Sequence, residues 1–412
     1  MTRQDLPSLL LLPFPPDPSN RPLLNAAYRP PITAALSKLK RPNGASTLIV
    51  AVACPILHGP YLRSKTLSWP EAQALVAGIY TIISIVSAEL SINTEIDGGP
   101  NSVDATILLI DHSRSKRFTT DFRPAIEPNN TIIVDLPTFA TAYYPWNNIF
   151  HVRSEAGLQF YQTYLRFSEG RQTLLQDQLV PVEGGLTMNA TPKEEPSSSS
   201  LAQTKTYPTI CLGGTFDYLH PGHKLLLTAG ALLLNLPRKD DAGRRSRYII
   251  GITGDSLLKN KKYAEHVQSW SVRARNVIIF LSRLLQLSAR GWKDGLAPEI
   301  SEQDGDFRAS FRDGTVVVQC VRIEDPFGPT ITVEDIDALV VSGETREGGK
   351  AVNEKRVEKG WKTLEVFEVD VLDAEEVKGE GLEVKQGFEA KISSSSIRER
   401  RALGSRAVGT KI

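Results

Sequence analysis

The sequence predicts an α/β protein of two domains, the second built on a parallel, doubly wound sheet. Three observations predict it. Short apolar, β-branched runs alternate with helix-like segments along most of the chain. A buried strand in "YPTICLGGTFD" runs into a glycine turn and then a helix, the order in which a parallel sheet presents its carboxyl ends. The stretch "ATPKEEPSSSSLAQTK", residues 190–205, is rich in proline, serine and charge, buries too little apolar surface to order itself, and reads as a flexible linker. The resulting division is an N-terminal α/β domain over 1–189, the linker over 190–205, and the C-terminal domain over 206–412.

In the N-terminal domain, "STLIVAVACPIL" is apolar and β-branched and reads as a buried strand. "SWPEAQALVAGIYTIISIVSAEL" has a serine at the cap position and proline and glutamate in its first turn, so it reads as a helix. "DATILLID" and "NTIIVDLP" read as further strands, and "SEAGLQFYQTYLRFSEGRQTLLQDQL" as a closing amphipathic helix. No chemistry-bearing motif stands out here. His58, His112 and His151 are isolated and read as structural or surface residues.

In the C-terminal domain, "HKLLLTAGALLLNL" is helical, "SRYIIGITGDSLL" a second strand and turn, and "SVRARNVIIFLSRLLQL" a second helix. "TVVVQCVRIED", "DIDALVVSGET" and "TLEVFEVDVL" supply three more strands. Two polar insertions, "PRKDDAGRRSR" and "SARGWKDGLAPEISEQDGDFRASFRDG", read as exposed loops.

Composition removes several classes of function. The 412 residues carry 48 basic and 47 acidic side chains, a net charge of +1, which gives no general electrostatic grip on nucleic acid. Cys54, Cys211 and Cys320 are far apart, with no CxxC pair, so neither a disulfide framework nor a structural zinc site is expected, and a reducing, cytoplasmic location is. The N-terminal "MTRQDLPSLLLLPFPPDP" carries an acid before its short apolar run and prolines after it, unlike a secretory signal. The uncharged run "ALVAGIYTIISIVSA", residues 74–88, falls short of the ~20 residues a membrane span requires and reads as a buried helix.

The densest chemistry lies in "GGTFDYLHPGHK", residues 213–224. Gly213 and Gly214 stand at a strand end, where glycine lets the chain turn and lets a phosphate approach main-chain N–H groups. Pro221 and Gly222 lead into a helix whose first turn offers free N–H groups and partial positive charge. His220 and His223 then face one polyanion site from the mouth of that helix, as hydrogen-bond donors or as cations. Such an arrangement suits transfer at phosphorus, where charge grows on oxygens in the transition state. The plainer reading is two helix-start histidines in capping roles. No further ligand completes a metal site around them.

"GGTFDYLHPGH" resembles the first signature of the HxGH nucleotidyltransferase superfamily, and "KISSSSIRERRALG", residues 391–404, its second. "GITGDSLLKNKKYAEHVQSWSVR", "IEDPFGPT" and "ALVVSGETREGGKAVNEKRVEKG" resemble one branch, the eukaryotic-type, fungal-like monofunctional phosphopantetheine adenylyltransferases. The resemblance covers roughly 206–404 and implies a Rossmann-like nucleotidyltransferase fold. It implies the substrates ATP and 4′-phosphopantetheine, with magnesium on the triphosphate and dephospho-coenzyme A as product. By the same resemblance Thr215, His220 and His223 are catalytic, and Thr215 also touches the acceptor. Gly213, Gly214, Gly222, Ser342, Glu344, Thr345, Asn353, Arg356, Ser393, Ser394, Ser395 and Arg398 would hold the nucleotide, with Lys391 helping to neutralise it. Gly348 and Gly349 fall in the same matching segment. Lys261 or Lys262, between which spacing does not choose, and Arg273 would hold the acceptor phosphate, while Asp217 orients the turn. Gly343 stands where the family usually has glutamate.

No GxxxxGK[ST] loop occurs in the sequence, so the expected product is not carried on to coenzyme A by this chain. The competing readings are another HxGH nucleotidyltransferase of the cytidylyltransferase kind, and a scaffold that gathers coenzyme A enzymes through residues 1–190.

Overall fold

The computed structural model describes residues 5–58, 66–96, 99–113, 130–142, 145–186, 203–237, 243–286, 299–370, 372 and 393–409. The chain folds as two units and passes from one to the other between Lys205 and Thr206. Most of the linker read at 190–205 lies outside the described residues. Its last residues are held to the first unit, where Thr204 bridges Leu67 and its hydroxyl accepts from the Trp69 amide at 3.3 Å.

The first unit contains β1 (Ser8–Leu12), α1 (Arg21–Leu39), β2 (Ala45–Ala53), β3 (Leu57–His58), β4 (Thr66–Leu67), α2 (Trp69–Glu89), β5 (Ser102–Asp111), β6 (Val134–Asp135), α3 (Leu136–Ala142), β7 (Ile149–Val152), α4 (Glu155–Ser168) and β8 (Leu179–Val182). Six of these strands form an all-parallel sheet in the order β6-β5-β2-β1-β7-β8. Parallel sheets are covered on both faces, and β1 and β5 are buried along their whole length. The leucine run near the N-terminus is therefore a central strand.

Several expectations are corrected here. The "NTIIVDLP" strand shrinks to Val134–Asp135, because the Asp135 carboxylate accepts from the Thr138 amide at 2.8 Å and starts α3. The closing helix stops at Ser168, and Gly170 (φ +74°) turns the chain toward β8. Helix α2 forms as read, but Ser68 makes no side-chain cap, and its 21 residues exceed the run counted in the sequence. Long and apolar enough by composition to cross a membrane, α2 is mostly buried within its own unit, packed on α1 and β5.

The second unit contains β9 (Thr209–Gly214), α5 (Pro221–Leu232), β10 (Ser246–Thr253), α6 (Trp270–Leu285), β11 (Ile300–Gln303), β12 (Asp306–Phe311), β13 (Val316–Ile323), β14 (Ala338–Ser342), α7 (Arg346–Glu358), β15 (Glu365–Val369) and α8 (Ser394–Gly409). The sheet order is β11-β12-β13-β10-β9-β14-β15. Strands β13, β10, β9, β14 and β15 run parallel, whereas β11 and β12 add antiparallel at one edge. The sheet is thus mixed rather than wholly parallel. The second polar insertion, read as a loop, holds this hairpin. Asp304 (φ +55°) and Gly305 (φ +79°) form its two-residue turn.

Strand β9 is the pivot. From it the chain winds outward through β10 to β13, then returns to lay β14 on the other side of β9. The carboxyl ends of β9 and β14 flank the point where the winding reverses, which is where open α/β sheets bind ligands. Cys211, Ile249, Leu339, Val341 and Val352 close the core beneath it.

Candidate active site

The first signature is a strand, a strained loop and a helix start. Gly213 and Gly214 remain within β9, and the turn falls instead on Phe216 (φ +51°) and Tyr218 (φ +46°). Left-handed backbone is costly for side chains this large and persists only when the surroundings impose it. Gly214 makes room for the first of them, since a Cβ there would press on the Phe216 ring at 3.0 Å.

His220 occupies the N-cap position of α5, but its side chain makes no cap bond. Its imidazole stacks on that of His223, with ring centroids 3.9 Å apart and planes 24° apart. Gly222 permits this, because a Cβ there would sit 3.2 Å from the His220 ring. Burial pushes both imidazoles toward the neutral form. His223 and Lys224 push His220 further down, and Arg273 helps bring His223 to about 3. Both Nδ1 atoms are buried without a hydrogen-bond partner. Leaving a buried polar atom unmatched costs about 1–3 kcal/mol. The capping reading of these histidines fails on this geometry.

Two buried arginines impose the loop. Arg273 is 0 % exposed and donates to the carbonyls of Thr215 at 2.6 Å, Thr253 at 2.8 Å and Gln268 at 3.0 Å, and to Asp255 Oδ1 at 2.6 Å. Its guanidinium supports the chain beneath the site. Arg398 donates to Asp217 Oδ2 at 2.6 Å, with both residues buried. Asp217 Oδ1 accepts from the Gln268 amide, and the Gln268 side chain accepts from the Tyr218 amide, both at 2.9 Å.

The second signature packs onto this loop. The Ser394 hydroxyl donates to the Asp217 carbonyl at 2.7 Å, Ser395 accepts from Arg398 at 2.9 Å, and Ser393 accepts from the Ser396 amide as the cap of α8. Lys391 lies outside the described residues. Lys261 and Lys262 are exposed, and the Lys262 carbonyl accepts from Arg398 Nε at 2.9 Å.

The β14 segment divides in two. Ser342 ends β14 two residues beyond the Val340–Leu212 pair, level with Gly214 across the switch point. Ser342 and Thr345 bond each other, and Glu344 and Thr345 are exposed beside them. Asn353 and Arg356 do not join this group. Both polar atoms of the Asn353 amide are spent on the Leu364 main chain. Arg356, 0 % exposed, donates to the carbonyls of Thr330, Val333, Glu334 and Lys362. The two residues fasten α7 to neighbouring loops. Gly349 serves the same packing, since a Cβ there would lie 3.1 Å from Val366.

Comparison with known proteins bears on this geometry. The chain is 35 % identical over 192 residues to a phosphopantetheine adenylyltransferase of Saccharomyces cerevisiae, covering 47 % of this chain and 48 % of that one. It is 33 % identical over 208 residues to an uncharacterized protein of Schizosaccharomyces pombe, 50 % of this chain and 52 % of that one. It is 29 % identical over 194 residues to a phosphopantetheine adenylyltransferase of Pyrococcus horikoshii, 47 % of this chain and 90 % of that one. About half of this chain is homologous to phosphopantetheine adenylyltransferases. The chain spans about half the length of the two fungal relatives. A domain of unknown function, DUF8446, matches residues 1–188. A crystal structure of a protein of unknown function from Archaeoglobus fulgidus covers 39 % of this chain and 89 % of its own at 29 % identity, with a TM-score of 0.26.

Arg322, Trp270 and Gln268 join the surroundings of the loop without a motif of their own in the sequence. Arg322 is exposed at the carboxyl end of β13 with its guanidinium 4.9 Å over the Trp270 ring, near enough to Arg273 to feel its charge. The one sequence signal for Arg322 is its place at the end of a strand. The loop with its histidine pair follows the carboxyl end of β9, and Arg322 stands at the carboxyl end of β13.

Proposed function

We propose that the second unit transfers the adenylyl group of ATP to 4′-phosphopantetheine, giving dephospho-coenzyme A and pyrophosphate. The observation that carries this reading is the stacked His220–His223 pair, held toward the neutral form by burial and with both Nδ1 atoms unpartnered, at a helix start beyond β9. Homology to the yeast and archaeal adenylyltransferases supports the choice of donor and acceptor, the archaeal one being matched over 90 % of its length.

An oxygen of the acceptor's terminal phosphate attacks the α-phosphorus in line. The bond from that phosphorus to the bridging oxygen breaks, and pyrophosphate leaves with its electrons. A phosphate monoester loses its second proton near a pKa of about 6, so at neutral pH it needs no general base. This agrees with imidazoles that burial keeps neutral and that serve as hydrogen-bond donors to the phosphate oxygens. The first turn of α5 adds main-chain N–H groups to the same oxygens. Magnesium bound with the triphosphate would neutralise charge on the phosphate oxygens.

The test is pyrophosphate release with ATP, magnesium and 4′-phosphopantetheine, the product being identified by mass. Wild-type protein should yield dephospho-coenzyme A, and His223→Ala should lose about 10²–10³ in turnover. Product with CTP in place of ATP would move the assignment to a cytidylyltransferase. No product from folded, ATP-binding protein would remove the acceptor.

A further inference from the structure

Resting on that reading, we infer that Arg398 is a positioning residue that joins the nucleotide side of the site to the acceptor loop, and is not itself a phosphate ligand. The residue is 2 % exposed, and its guanidinium points three ways. Nη1 donates to Asp217 Oδ2 at 2.6 Å, Nε to the Lys262 carbonyl at 2.9 Å, and Nη2 to the Ser395 hydroxyl at 2.9 Å. These three partners come from three separate segments: the first signature, the lysine loop and the second signature. The positive charge is already matched by a carboxylate with 0 % exposure, so little of its field is left for a phosphate.

Neighbouring contacts repeat the connection. The Ser394 hydroxyl donates to the Asp217 carbonyl, the Tyr263 hydroxyl donates to Glu399 Oε1 at 2.9 Å, and Arg401 lies 4.4 Å over the Tyr218 ring. Helix α8 thus holds the loop of the histidines with one set of side chains and the loop of Lys262 with another. The lysine loop depends on that hold, because Tyr263, next after Lys262, is left-handed (φ +58°). Arginine alone suits the role. Its planar fork reaches a carboxylate and a carbonyl at once, whereas an ammonium on a flexible stem satisfies one or the other. Disturbing Arg398 should therefore be felt at the acceptor more than at the nucleotide.

The experiment uses full-length protein in two forms, Arg398→Lys and the double variant Asp217→Asn/Arg398→Gln. The double variant removes both charges and leaves neither buried alone, so it decides the matter if the single variant does not fold. Three quantities are read: backbone hydrogen exchange over 259–266, the Kd for ATP without acceptor, and KM for 4′-phosphopantetheine. We expect exchange over 259–266 and the acceptor KM each to rise about tenfold, the size of one charged hydrogen bond, with the ATP Kd changed less than about threefold. An ATP Kd weakened about tenfold with unchanged acceptor KM would make Arg398 a direct ligand and overturn the inference. Unchanged exchange, or faster exchange with unchanged KM, would overturn it as well. Wild-type protein that makes no dephospho-coenzyme A would sink the proposed reaction instead, and the exchange and ATP readouts would still decide whether Arg398 joins the two loops.

Discussion

Gly222 is visible in the sequence as a motif letter, but its purpose is visible only in space, where it leaves room for the His220 ring to lie on His223. The same holds for the charge state of the pair. Residue type and spacing identify two imidazoles at a helix start, while burial decides that both are neutral. The unfolded chain protonates these side chains near their ordinary pKa of about 6.5. The folded chain does not protonate His223 until about 3, and holds His220 low as well. Between those values the unfolded state binds more protons, so stability is full above about 6.5 and falls as pH drops toward 3. His220→Asn should flatten that fall between pH 6.5 and 4 in urea titrations, and wild-type and variant curves of equal slope would refute the burial argument. Arg356 teaches the opposite lesson. A basic residue in a nucleotide-like segment reads as a ligand, yet its four carbonyl partners are spread over residues 330–362, beyond the reach of local pattern. Arg356→Met should cost about 4 kcal/mol of stability or more in denaturant titration, since each of the four abandoned carbonyls loses about 1–3 kcal/mol. Nucleotide affinity in the folded variant should stay within about threefold, as for a group that touches no ligand.

At the scale of elements, strands with continuous β-branched runs are readable because parallel strands bury both faces. The short leucine run of β1 has no strand signal of its own in the sequence, and pairing with β2 and β7 settles the matter. Helix α1 contains Pro30 and Pro31, which lack the N–H that a helix interior requires, so pattern reading does not propose it. The β11–β12 hairpin was available in principle, because Asp304-Gly305 is a strong two-residue turn signal, but the polar residues around it masked the strands. Gly230 in α5 gives a test of packing against propensity. In an exposed helix, glycine to alanine stabilises by up to about 1 kcal/mol. Here a new Cβ would overlap the Tyr248 hydroxyl, which donates to the Leu227 carbonyl at 2.8 Å and pins α5 to β10. Gly230→Ala should therefore destabilise by about 1–3 kcal/mol, and a gain in Tm would show that α5 moves aside at little cost.

At the scale of the whole molecule, the division of labour follows from where the chemistry lies. Every group placed at the site, from Gly213 to Arg398, belongs to the unit that begins at Thr206, and that unit has its own sheet and core. The first unit has a second complete sheet, and its match to a domain of unknown function ends at residue 188. The homologous archaeal enzyme, matched over 90 % of its length by 47 % of this chain, leaves about half the chain with no counterpart in it. If positioning and electrostatics perform the transfer, all the groups they require travel with the second unit. Residues 206–412 expressed alone should keep kcat/KM for 4′-phosphopantetheine within about threefold of the full chain. The same truncation tests whether residues 1–190 gather other enzymes of coenzyme A synthesis, since affinity capture by the full chain but not by 206–412 would assign that role to the first unit. A fall of more than about tenfold in kcat/KM, with the sheet of the second unit intact by circular dichroism, would mean that the first unit shapes the site. The assignment of catalysis to the second unit alone would then be wrong.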